Sequence, residues 1–202
     1  NSPMALPLSV RAALALTSAV ARGDDAEAAL HAVSCGHDAF VVDAPLDDWV
    51  RAGESLFLAA LPRPGSLAGM PVAASDAMSV AVAAGECVVA ATVGGLLVPS
   101  VTAYGPPGDR GLMLTWSGYA AEPVAAHRLS MITVGDAERD LRGALQAAAA
   151  ELDGGSWPLG RPAAADRGRA APPLPPGIPA RVVRLMHTAA DTLELASAAI
   201  SG

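Results

Sequence analysis

Apolar residues recur at Val10, Ala13, Leu14, Leu16, Ala19 and Val20, a spacing that lays them on one face of a helix from residue 8 to residue 22. Gly23 is its stop and Ser9 its predicted cap. Asp24-Asp25 then opens a second helix that reaches about Ser34, so the chain begins as a helical hairpin. The pattern changes to that of strands at residues 38–42 and 55–61, with a helical turn through Asp47, Asp48 and Trp49 between them. Pro62-Arg63-Pro64-Gly65 turns the chain, and Ser75-Asp76 caps a helix that ends at Gly85.

Residues 87–108 carry no charged side chain, long enough to raise the question of a membrane span. Gly94-Gly95, Pro99 and Pro106-Pro107 argue against a helix there, and the β-branched residues around them favour strands. The expectation is a three-stranded meander with one buried face: residues 87–93, a two-residue turn at Gly94-Gly95, residues 96–104, a loop, and residues 112–119. Pro99 cannot donate to a ladder, so the middle strand should bulge there or begin its pairing afterwards.

A strong helix follows from Asp136 to Leu152, with Leu141, Leu145, Ala148 and Leu152 on one face and Glu138 placed to pair with Arg142. Residues 157–179 hold seven prolines and read as a linker. Beyond it Val182, Met186, Ala189, Leu193, Ala196 and Ile200 form a seam with alternating steps of four and three, the mark of a helix that docks on a partner surface. The domain reading is therefore an α+β core over residues 4–157, a Pro-rich linker over 158–179, and a C-terminal helix over 180–202 as an arm of the same domain.

Composition adds three things. Apolar residues make up 52% of 202, enough for one core, but aromatics only 3%, so Ala, Val and Leu must fill it. All 13 basic residues are Arg, which with the abundance of Ala and Gly fits a high-GC bacterium. The net charge of −7 disfavours nucleic acid, and it is uneven: residues 1–153 balance at −9 and 154–202 at +2, so the two parts attract. Two cysteines make no disulfide framework and no secretory signal is visible, so a cytoplasmic location is expected.

Candidate chemistry is sparse. His31, Cys35 and His37 are three donors close in sequence, but Gly36 breaks their arrangement and no fourth ligand stands out, so no metal is assigned. His187 and Asp191 sit four apart on the last helix and read as a solvated pair. Neither a nucleophile elbow nor a phosphate-binding glycine loop is present, so no cofactor is assigned, and whether the protein is an enzyme stays open. The best ligand-binding candidates are Arg63 in its proline turn and Arg110 in the meander loop, for an anionic small molecule.

The succession Leu61-Pro-Arg-Pro-Gly65, Gly69-Met-Pro71, Ala84-Gly-Glu86 and Leu97-Val-Pro99, followed by Glu138-Arg-Asp-Leu-Arg142, resembles a set of conserved hypothetical proteins of high-GC bacteria. The resemblance covers about residues 55–155 and implies a cytoplasmic, single-domain protein without transferring any catalytic residue. The fold expected is α+β, a mainly antiparallel sheet of about five strands covered by the N-terminal helices and the Asp136 helix. The expected function is that of a non-enzymatic oligomeric or partner-binding protein, a homodimer through the C-terminal helix, with no nucleic acid or membrane partner. The alternative is an anionic-ligand binder or enzyme acting at Arg63 and Arg110.

Overall fold

The computed structural model describes residues 6–34, 36–106, 108–131, 133–152 and 176–201. It divides into two compact units: a sheet-containing body of residues 6–124, and a helical unit that holds the elements after residue 125. The expected linker therefore lies mostly outside the described residues.

In the body, helices α1 (Leu8–Arg22) and α2 (Ala26–Val33) form the expected hairpin. Gly23 ends α1 with φ at +74°, a left-handed conformation that glycine adopts without strain, and the Asp25 carboxylate caps α2 by accepting the Ala28 N–H. Strand β1 (Ala39–Asp43), helix α3 (Leu46–Arg51), strand β2 (Phe57–Ala60), helix α4 (Ser75–Ala84) and strands β3 (Cys87–Ala90), β4 (Leu96–Tyr104) and β5 (Gly111–Tyr119) complete it. The five strands form one sheet in the order β1-β5-β4-β3-β2. Every neighbouring pair is antiparallel except β1 with β5, so the architecture is α+β with a mostly antiparallel sheet.

Successive side chains of a strand point to opposite faces, which splits the core in two. On one face Leu16, Leu30, Leu46, Phe57, Val88 and Trp116 pack together under α1, α2 and α3. On the other, Ala77 and Ala81 of α4 meet Cys87, Val89, Leu96 and Val98. Both faces of β3 are thus buried, where the meander was expected to bury one. The small residues of the helices let them sit close to the sheet, and Trp116 alone fills the space of several of them, its indole N–H donating to Ser34 Oγ at 3.3 Å.

The meander departs from expectation at its first turn. Strand β3 ends at Ala90, and β4 pairs with it only at Val88↔Leu97 and Val89↔Leu96, so five residues connect them instead of two. The glycines serve close approach. A Cβ on Gly95 would lie 2.5 Å from the Trp49 ring, and one on Gly94 would collide with the Ala121 carbonyl. Pro99 causes no bulge: β4 and β5 stay in continuous register from Leu96↔Tyr119 to Tyr104↔Gly111, while the ladder with β3 stops before Pro99 needs a donor.

The helical unit contains α5 (Ala126–Ser130), α6 (Val134–Leu152) and α7 (Ala180–Ser201). The units divide earlier than residue 157, so α6 groups with the C-terminal helix. Among the described residues no helix is long and apolar enough to cross a membrane.

Candidate functional site

The helical unit holds a cleft of about 380 Å³ between α6 and α7. Glu138, Leu141, Arg142 and Leu145 line it from α6, and Arg181, Arg184, Leu185 and Thr188 from α7. Both sets follow the same spacing of three, one and three, so each helix presents one face to the cleft. At the start of α6 the Thr133 hydroxyl accepts the Asp136 N–H at 3.1 Å and meets the Asp136 carboxylate at 2.6 Å, which fixes the first turn.

The helices are joined by a two-pronged ion pair. Arg181 Nε donates to Glu138 Oε1 at 2.7 Å and Arg181 Nη2 to Oε2 at 2.6 Å, where the sequence had suggested Arg142 as the partner of Glu138. That hydrogen bonding, with the field of Arg181, Arg142 and Arg184 around it, holds the Glu138 carboxyl below its ordinary pKa, and Glu138 raises that of Arg181 in return. Arg142 and Arg184 have no carboxylate within ion-pair distance among the described residues. With one carboxylate against three guanidiniums, the cleft carries a net charge of +2 over a floor of Leu141, Leu145 and Leu185.

Arg63 and Arg110 are both exposed. Arg63 exchanges two backbone hydrogen bonds with Ser66, each 2.9 Å, and so sits in a closed tight turn after β2. Arg110 immediately precedes β5. Two strands, β4 and β3, separate β5 from β2, a lateral distance of about 14 Å at about 4.8 Å per strand. No described hydrogen bond connects the two arginines.

Family models for Rv1486c-like proteins match the chain twice, the N-terminal domain over residues 9–131 and the C-terminal domain over residues 135–202. The chain belongs to the Rv1486c-like family. Its domain boundary falls just before α6, so in Rv1486c-like terms the α6–α7 cleft is a feature of the C-terminal domain and the sheet a feature of the N-terminal one. No curated protein and no solved structure matches the chain. The family name carries no activity, which leaves the geometry as the source of any functional reading.

The N-terminal domain of this Rv1486c-like chain holds a second concentration of polar groups, at the tripeptide Ala-Gly-Glu, which occurs at residues 52–54 and again at residues 84–86. Glu54, only 1% exposed, accepts the N–H groups of Ser55 and Leu56 on Oε1 and of Thr92 and Val93 on Oε2, at 2.8–3.0 Å. Glu86 accepts the Ser9 N–H at 2.7 Å, so the first turn of α1 is satisfied by a side chain 77 residues away and not by Ser9, which lies inside the helix. In each tripeptide the glycine ends a helix in a left-handed turn, and the glutamate behind it accepts backbone N–H groups, four at Glu54 and one at Glu86. Both are structural ties.

The remaining sequence candidates are dispersed. The His31 ring stands edge-on to Phe40 at 5.2 Å between centroids, His37 Nδ1 lies 3.0 Å from the Ser34 carbonyl, and Cys35 is outside the described residues. His187 and Asp191 are exposed on α7. Cys87 is buried with its sulfur 3.4 Å from that of Met70, and burial, reinforced by nearby Glu86, pushes its thiol pKa up to about 12. Arg142, Arg181 and Arg184 were not singled out as a site from sequence. The matched spacing on two helices was the available signal, and it is visible only once the two helices are set beside each other.

Proposed function

We propose that the protein works by association, as a non-enzymatic homodimer or partner-binding protein whose dimer contact is made by α7. The observation that carries this reading is that α7 has two working faces. The stripe through Arg181, Arg184, Leu185 and Thr188 is turned to α6. The seam through Val182, Met186, Ala189 and Leu193 lies about a third of a turn round the helix from it, at 3.6 residues per turn. Along this seam Val182, Met186 and Leu193 are half-buried and Ala189 is exposed, so apolar surface remains for a partner. The side chains of Ala196 and Ile200 lie outside the described residues.

Closed two-fold dimers are the commonest oligomers, and a helix with a partly open apolar seam can pair with its own symmetry copy without any new element. An anionic ligand held by both Arg63 and Arg110 would have to bridge two intervening strands, which places that reading second. The test is multi-angle light scattering on the full chain and on Val182→Glu/Met186→Glu, with deletion of residues 158–202 as a third sample. A dimer that becomes monomeric in both altered forms is the expected result. A monomeric full chain, or a dimer unaffected by the charged pair, would sink the proposal.

A further inference from the structure

The α6–α7 cleft is not needed for that dimer contact, and its chemistry is specific enough to name a ligand class. We infer that it binds a small anionic amphiphile, a carboxylate on a short acyl chain, with Arg142 and Arg184 on the headgroup and Leu141, Leu145 and Leu185 along the tail.

Three observations lead there. First, Arg181 is committed to Glu138 through both prongs of its guanidinium, so it positions the cleft and is not the ligand's partner. Arg142 and Arg184 face the same space from opposite helices with no carboxylate within ion-pair distance among the described residues, and two guanidiniums across a gap are a fit for one bidentate anion. Second, the leucines below them are wasted on a bare ion. Leu145 keeps 38% of its surface exposed even though it lines the cleft, so apolar area remains to be covered. Third, size selects the occupant. The cleft volume of about 380 Å³ lies in the range of small-molecule sites, about 300–1,000 Å³. From Glu138 to Leu145 it runs about 10 Å at about 1.5 Å per residue, the length of a short acyl chain and too short to seat a partner helix along its face.

The full-length chain is titrated calorimetrically with octanoate, 1-octanol and acetate, with light scattering on the same samples. Octanoate is expected to bind one per chain, and both octanol, which lacks the charge, and acetate, which lacks the tail, to bind at least about tenfold more weakly. In Arg142→Ala/Arg184→Ala octanoate affinity should fall by at least about tenfold while the circular dichroism spectrum and melting temperature hold, because both side chains are exposed and make no described ion pair. Absence of octanoate binding, equal affinity for octanol or acetate, or an unchanged double variant would each overturn the assignment. So would octanoate uptake that occurs only as a dimer dissociates, since the cleft would then belong to a second copy. A monomeric protein that binds octanoate as described would retain the cleft and discard the dimer.

Discussion

The Glu54 carboxylate and the Thr92 N–H meet at 2.8 Å across 38 residues of sequence, tying the entry to β2 to the loop that follows β3. Because the same carboxylate also takes Ser55, Leu56 and Val93, its two oxygens are shared among four donors with no side-chain partner. An amide in its place would turn an NH₂ group toward two of those N–H groups. Glu54→Gln is therefore expected to cost about 2–6 kcal/mol, the penalty of leaving two buried donors unpaired at about 1–3 kcal/mol each. Urea denaturation of the two proteins measures it; a loss under about 1 kcal/mol would show that water replaces the lost acceptor.

Thr17 does similar work at the sheet edge. Its hydroxyl accepts the Phe57 N–H at 2.9 Å and donates to the Phe57 carbonyl at 3.2 Å, so a side chain of α1 stands where a further strand would pair with β2. Thr17→Val keeps the shape and removes both bonds. The expected loss is about 1–3 kcal/mol in chemical denaturation, with faster aggregation on mild heating as the edge becomes available. Unchanged stability and unchanged turbidity would mean that the edge needs no such cover.

Acid should loosen the start of α6. Hydrogen bonds from Thr133 and then Arg139 hold Asp136 below its ordinary pKa, and Arg181 does so for Glu138. A carboxylate depressed in the folded state contributes stability above its unfolded pKa, and that contribution disappears as pH falls through the folded value. Helical signal and melting temperature should therefore drop below the ordinary carboxylate range, and Asp136→Asn/Glu138→Gln should flatten that part of the profile. Both pairs are exposed, so high salt should weaken the effect as well. Matching pH profiles for the parent and the double variant would refute it.

Cys87 should resist alkylation. With its thiol pKa pushed up to about 12 and its side chain fully buried, little thiolate exists near neutral pH and no reagent reaches it. Peptide mapping after iodoacetamide treatment at pH 8 is expected to find Cys87 unmodified in the folded protein and modified in urea. Rapid labelling without denaturant would show that the core opens locally.

How much of this was legible in the sequence depends on how local each cause is. The ends of α1 and α2 follow from an apolar stripe, Gly23 and Asp25, all within a few residues, and they stand where the pattern puts them. Gly94-Gly95 has the composition of a tight hairpin, but its geometry is dictated by Trp49, Ala121 and the Glu54 carboxylate, which arrive from distant segments. The same holds for Ser9, displaced as a cap by Glu86, and for Glu138, whose neighbour at i+4 loses to an arginine 43 residues on. The cleft was illegible for that reason. Its charge is ordinary on either helix alone and becomes a site only by juxtaposition.

Strand β1 touches the sheet only through β5, with Ala39 beside Met113 and Asp43 beside Ser117. On the ribosome that neighbour is synthesised 74 residues later, which at about 5–20 residues per second means a wait of about 4–15 s. Throughout it Phe40 and Val42, which belong to the first core, have no strand to lie against. The parallel edge thus leaves part of the first core without its strand until β5 emerges, and a slower codon run before Gly111 would lengthen that interval.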